Sequence, residues 1–382
     1  MPNFRHQGVV TTNGHVDTAH EITDAATLQV QPADDAFRLP SLDIGHFEWW
    51  YFDVTDARNN YVLKLVAHLG TDPLRTRCYP SVSVSVYTPD GTQSIIMPFA
   101  KEDFEASREA CDVRIKDAFH TWVVYADNHQ TYHVSVRLPS FSADLQFQGR
   151  LGGWKPLGDH VPMQQRGKAA LFDWVIPLPR AEVVGMFCSQ GVTYQLEEAL
   201  GYHDHNLWQV DSQAKLFLDQ SISHWHWGRF LGNDITVVFM DTCFRTHHLR
   251  SCLIARNGSM CHSSNNHIEV VADQEAQATA IRATYPTHIE ITLPEAPCTF
   301  QMSLTQRAVI DSRDLLDGVS PLLKWLIRQM IAQPSYHGIL ADAAVCLGGT
   351  TLYGKALYES IYFRRSSEYR CARRALSDPM AI

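Results

Sequence analysis

Ser81-Val82-Ser83-Val84-Ser85-Val86-Tyr87 places an apolar side chain at every second position. A period of two sends the valines to one face of an extended chain and the serines to the other, which is the pattern of a half-buried strand. Thr88-Pro89-Asp90-Gly91 then ends it as a turn. The same alternation runs through Tyr61 to His68, Tyr132 to Leu138 and Ala143 to Gly149, and strands are expected again at Ile235 to Phe239, Leu253 to Ala255, Ile268 to Val271, Ile281 to Thr284, Ile289 to Leu293 and Thr299 to Leu304. Short, closely spaced strands without helices between them make an all-β chain of antiparallel sandwiches or barrels, not βαβ units.

One helix is expected in the C-terminal region, over Ser312 to Ile331. There Leu315, Leu316, Val319, Leu322, Leu323, Leu326, Ile327, Met330 and Ile331 follow helical spacing and predict one face packed on a sheet. Residues 1–38 lack sustained periodicity and read as an N-terminal arm that says little about chemistry. Runs of strands on either side of residue 205 divide the remainder into domains of residues 39–205 and 206–382.

The 382 residues are 45% hydrophobic and 19% charged, a composition that folds throughout and is far from that of a disordered chain. A net charge of −9 gives no attraction to phosphate backbones, so nucleic acid is not an expected partner. The start has no apolar signal core and no window approaches a membrane helix, so a soluble, cytoplasmic protein without an integral membrane segment is expected. Nine scattered cysteines, odd in number and without a C-x-x-C, disfavour both a disulfide framework and zinc knuckles.

Three clusters concentrate aromatic, histidine and acidic residues. In His46-Phe47-Glu48-Trp49-Trp50-Tyr51-Phe52-Asp53, strand periodicity puts Glu48, Trp50 and Phe52 on one face and Trp49, Tyr51 and Asp53 on the other. A carboxylate buried among indoles has a raised pKa and can act as a general acid near neutrality. Gly201-Tyr202-His203-Asp204-His205-Asn206-Leu207-Trp208 holds an Asp between two histidines, more proton donors and acceptors than an apolar core needs. In Ser223-His224-Trp225-His226-Trp227-Gly228-Arg229-Phe230, His224 and His226 share one face and Trp225 and Trp227 the other.

The pairs His203/His205 and His224/His226 have a spacing that permits a chelated ion, with Asp204, Asp241 or Glu48 to complete it. No metal signature accompanies them, and interleaved Trp suits an apolar pocket better than a hydrated ion, so no metal is expected. The chain also lacks a Walker loop, a G-x-G-x-x-G after a strand, a G-x-S-x-G elbow and H-E-x-x-H, the usual marks of nucleotide, dinucleotide and hydrolytic sites.

With Glu48-Trp49-Trp50-Tyr51, Gly201-Tyr202-His203-Asp204-His205-Asn206, Trp225-His226-Trp227-Gly228-Arg229 and a tail motif Gly354-Lys355-Ala356-Leu357-Tyr358-Glu359, the sequence resembles the hydroxyneurosporene synthase (carotenoid 1,2-hydratase)-like family, part of the AttH-like double lipocalin group that includes fungal Diels-Alderases. The resemblance covers about residues 40–365. It implies two consecutive lipocalin-like antiparallel β-barrel domains, a hydrophobic pocket in or between them, and no cofactor. Activities it implies are addition of water to an isoprenoid double bond and pericyclic cyclisation. In the hydratase pattern an Asp and a Tyr lie on the strand after the Trp-His-Trp motif; Asp241 matches that Asp, but the nearby position is Phe239.

The expected function is therefore a cofactor-independent cyclase, isomerase or hydratase acting on a hydrophobic polyene or terpenoid-like small molecule. The expected chemistry is general acid protonation by Asp204, paired with His205, with His226, Asp241 or Glu48 assisting. Trp49, Trp50, Tyr51, Tyr202, Asn206, Trp225 and Trp227 line the substrate site. Two alternatives stand beside it: a pericyclase that uses the pocket for orientation, and a non-catalytic carrier of a lipid or pigment.

Overall fold

The computed structural model describes residues 30–40, 46–71, 78–126, 129–156, 161–165, 168–210, 222–244, 248–265, 268–279, 281, 283–294, 300–317, 319–330 and 334–362, together with a pair of two-residue strands, Val9–Val10 and Val16–Asp17. Two large antiparallel sheets follow. The first contains β1 (Phe47–Asp56), β2 (Tyr61–Thr71), β3 (Cys78–Thr88), β4 (Gly91–Pro98), β5 (Phe104–Ala106), β6 (Asp112–Ile115), β7 (Phe119–Ala126), β8 (His129–Leu138), β9 (Phe141–Gly149), β10 (Val161–Gln165), β11 (Lys168–Ser189) and β12 (Val192–Val210). Its order is β4-β3-β2-β1-β12-β11-β9-β8-β7-β6-β5, with β10 on β11.

The second contains β13 (Ile222–Leu231), β14 (Ile235–Phe244), β15 (His248–Arg256), β16 (Ser259–Asn265), β17 (Glu269–Ala278), β18 (Ala283–Leu293), β19 (Phe300–Asp314), β20 (Ser335–Leu347) and β21 (Thr350–Tyr362), with α1 (Pro321–Met330) between β19 and β20. The order β16-β15-β14-β13-β21-β20-β19-β18-β17 is a meander whose last strand returns beside its first.

Among the described residues, alternation builds three large cores. Trp50, Phe52, Leu63, Val84, Val113, Val134, Phe147 and Val183, from strands across the whole first sheet, meet in one cluster, so the sheet curls around its own inner face. Phe230, Phe239, Ile254, Ile291, Leu304, Ile339 and Tyr358 do the same in the second. The third core joins the sheets: Phe47, Tyr51, Phe172, Trp174, Tyr202 and Trp208 from one meet Trp225, Trp227, Val238 and Met240 from the other.

Three expectations change. Ser312 to Asp314 continue β19, and α1 starts only at Pro321, whose fixed φ and missing N–H suit the first turn of a helix; Ile331 lies outside the described residues. Rather than lying on a sheet core, Ile327 packs with Leu316, Val319 and Leu323 in a small separate cluster, while Leu322 and Trp325 are exposed. The long strand β11 escapes the alternation test because Pro177 and Pro179 fall among register shifts between Val175 and Ala181. The end of the N-terminal arm is built into the fold, with Asp35, Ala36 and Leu39 fully buried.

The strands change sheet between Val210 and Ile222, beyond the break expected at residue 205. Among the described residues, no helix is long and apolar enough to cross a membrane.

Candidate functional site

Because neighbouring strand residues face opposite ways, each motif is divided between two environments. On β1, Trp50 and Phe52 enter the first core, while Tyr51 and the partly buried Trp49 belong to the junction. On β12, His203 stacks on Phe52 at 3.9 Å and His205 on Trp50 at 4.6 Å, whereas Tyr202 turns to the junction. On β13, Trp225 and Trp227 face the junction, and His224 and His226 face the interior of the second sheet.

Asp204 places a carboxyl in the junction, apart from the Asp53 carboxylate that Arg229 pairs. Asp204 Oδ2 accepts hydrogen bonds from Trp174 Nε1 at 2.9 Å and Tyr202 Oη at 2.8 Å, and Asp204 Oδ1 accepts one from Asn206 Nδ2 at 2.8 Å. Burial pushes its pKa up to about 7 even though these donors favour the ionised form. Tyr51 stands edge-on to Trp227 with ring centres 5.3 Å apart, and Tyr202 lies 5.2 Å from the same indole. The Oδ1 of Asn206 is buried and has no hydrogen-bond partner among the described residues. The junction thus holds a carboxyl half protonated near neutrality, electron-rich rings and an acceptor beside it.

The expected pairing of Asp204 with His205 does not form, because consecutive residues of β12 leave the sheet on opposite sides. His205 Nε2 instead donates to Glu48 Oε1 at 2.9 Å. Glu48 also accepts the backbone N–H groups of Arg38 at 2.8 Å and Leu39 at 3.0 Å. Asp35 completes this clasp, taking Tyr132 Oη at 2.6 Å and His203 Nε2 at 3.0 Å, while its carbonyl accepts Trp50 Nε1 at 3.0 Å. Burial raises the Asp35 carboxyl, but the His203 charge and hydrogen bond outweigh it and hold the pKa below its ordinary value. Glu48, His205 and Trp50 therefore fasten the arm inside the first sheet, away from Asp204.

His226 and Asp241 sit in a third place. Register aligns Asp241, His226, Ser360, His337 and Ser312 as successive neighbours across β14, β13, β21, β20 and β19. His226 Nδ1 lies 3.0 Å from Ser360 Oγ, and His337 Nδ1 lies 3.0 Å from Ser312 Oγ. Asp241 accepts from His224 Nε2 at 3.2 Å and Arg250 Nε at 3.1 Å, and its Oδ1 lies 2.5 Å from His248 Nε2. Burial raises its carboxyl, yet the hydrogen bonds from His224 and His248 prevail and hold it well below the usual range, the opposite of Asp204. Phe239 lies in the apolar core, and its ring would be 2.5 Å from a Cβ added at Gly228, so that motif glycine leaves the space the ring occupies.

Sequence reasoning brings Tyr51, Tyr202, Asp204, Asn206, Trp225 and Trp227 together and misses Trp174, Asp35 and His248. The alternation of Phe172 and Trp174 about Asp173 is a signal for Trp174; Asp35 lay in a segment without periodicity.

No family model and no curated protein sequence matches the chain. Solved structures do. Kievitone hydratase from Nectria haematococca superposes with a TM-score of 0.57 at 14% identity, covering 95% of this chain and 97% of that one. An AttH-like protein from Nitrosomonas europaea gives a TM-score of 0.54 at 11% identity, covering 87% of this chain and 99% of that one. The chain shares the double lipocalin-like fold of these proteins over nearly its whole length.

Proposed function

We propose that the chain is a hydratase-type enzyme that adds water to an alkene of a hydrophobic, isoprenoid-like small molecule by general acid catalysis, without a cofactor. The observation that carries this reading is Asp204, a buried carboxyl with a pKa of about 7 set among indole and phenol rings at the junction of the sheets. The fold it shares with a protein named a hydratase supports the same class of reaction.

Protonated Asp204 gives its proton to one alkene carbon, forming a C–H bond from the π electrons and leaving a carbocation at the other. The faces of Trp227 and Tyr51 stabilise that cation electrostatically and exclude stray water. A water molecule aligned by Asn206 Oδ1 adds its oxygen to the cation and returns a proton to Asp204. The product is the substrate plus one water, with the acid regenerated. If the cation is captured by a second double bond instead, the same acid performs a cyclisation.

The test is incubation of the protein with isoprenoid polyenes and prenylated phenols in D₂O, followed by mass spectrometry. Product heavier by one water, with deuterium on carbon, and loss of turnover in Asp204→Asn are expected. Cyclised product without deuterium on carbon would replace this reading with a pericyclase, and tight binding without turnover would replace it with a carrier.

A further inference from the structure

We propose that His224, Asp241 and His248 form a binding site for one divalent transition-metal ion of the zinc class, inside the second sheet and separate from the Asp204 junction. The three residues stand on adjacent strands β13, β14 and β15, and one ligand atom of each lies within 4.8 Å of the others. His224 Nε2 is 3.2 Å from Asp241 Oδ2, and His248 Nε2 is 2.5 Å from Asp241 Oδ1. Zinc bonds of about 2.0–2.1 Å in a tetrahedron separate their ligand atoms by roughly 3.3 Å, so small side-chain rotations seat an ion between these groups. Two imidazole nitrogens and a carboxylate are the donor set that zinc, cobalt and nickel accept readily.

The surroundings meet the other requirements of a site. The side chains of His224 and Asp241 are 1% and 2% exposed, while that of His248 is 25% exposed and gives the ion a route from solvent. Arg250 Nε lies 3.1 Å from Asp241 Oδ1, an outer contact that fixes the carboxylate and leaves Oδ2 for the ion. Register places Cys243 directly between His224 and His248, so a soft donor occupies the same rung. Sequence spacing alone pointed to His224 with His226, but His226 turns to Ser360, and the second imidazole comes from two strands away.

The competing account is that two histidines and Arg250 merely neutralise Asp241, and metal uptake separates the two. The chain, stripped with chelator and dialysed, is titrated with Zn²⁺ and with Co²⁺ while heat and visible absorption are recorded. One ion per chain, with the strong d–d bands of a low-coordinate cobalt site, is expected. His248→Asn, at the accessible end, and Asp241→Asn should each weaken uptake beyond the ~10–100-fold loss typical of an outer-shell change, and Arg250→Met should fall within it. His226→Asn should leave uptake unchanged, and circular dichroism reports folding in every variant. Absence of saturable uptake by the wild-type chain, or wild-type uptake in both folded His248→Asn and Asp241→Asn, would overturn the site. Neither readout uses catalytic turnover, so the result is independent of the role of Asp204.

Discussion

Asp204 and His205 are consecutive residues of β12 whose side chains leave the sheet on opposite faces, the first hydrogen-bonded by Trp174 and Tyr202 and the second by Glu48. Their roles therefore separate by substitution. Asp204→Asn keeps the shape and most hydrogen bonds but removes the proton, and turnover is expected to fall by about 10²–10⁴ with substrate affinity retained. His205→Asn should lower stability and leave turnover per folded molecule near wild type. Steady-state kinetics normalised to the folded fraction checks both, and equal losses would return His205 to the catalytic apparatus.

The same carboxyl sets a pH profile. With a pKa of about 7, Asp204 is an acid below that pH and a carboxylate above it, so turnover is expected to decline as pH rises through it, tenfold per unit. Asp204→Asn should show no such decline in its residual rate.

Stability gives a second readout with a definite sign. The folded pKa of Asp204 is raised from 3.8 to about 7, so the unfolded chain ionises first and the native state loses stability as pH climbs through that window. At roughly 1.4 kcal/mol per unit, the cost above the window reaches at most about 4 kcal/mol. Asn carries no such cost. The stability of Asp204→Asn relative to wild type is thus expected to rise from pH 4 to pH 7 and then level off, as read by urea unfolding; a flat difference would mean that Asp204 is not held protonated.

Glu48 binds two backbone amides and His205 in a fully buried setting, so its removal leaves three donors without an acceptor. Glu48→Ala is expected to cost about 3–5 kcal/mol, and Glu48→Gln less, because the amide oxygen still accepts. The effect should appear as lower urea midpoints with unchanged turnover per folded molecule.

These roles mark where the sequence was legible. Alternation located the strands and predicted which residues of Glu48 to Asp53 share a face, because sidedness is a local property of extended chain. It could not say which face meets the other sheet. Asp204 and His205 looked like a pair because proximity in sequence implies contact in a turn or helix but separation in a strand. The clasp and the convergence of His248 on Asp241 depend on pairings between distant segments, and Asp35 carried no local mark. The helix was overextended because apolar residues after Asp314 fit helical spacing while folding as a turn, with Leu316 and Val319 buried beside Ile327.

Arg229 supplies the last test, since it joins the two sheets. Its Nε donates to Asp53 Oδ1 at 2.8 Å and its guanidinium to Thr55 Oγ1 at 2.8 Å, with both charged side chains at or below 1% exposure. Loss of one partner strands the other in a low-dielectric junction, so Arg229→Met and Asp53→Asn are each expected to destabilise by about 3–5 kcal/mol. The double substitution should cost less than their sum, because neither charge is then left alone. Loosening the junction also moves Trp227 and Tyr51, which lie two residues from Arg229 and Asp53 on the same faces of β13 and β1. The single variants are thus expected to raise KM and lower kcat together, whereas Glu48→Ala affects stability alone. Additive losses in the double-mutant cycle, with unchanged kinetics, would show that this ion pair fastens the sheets without shaping the site.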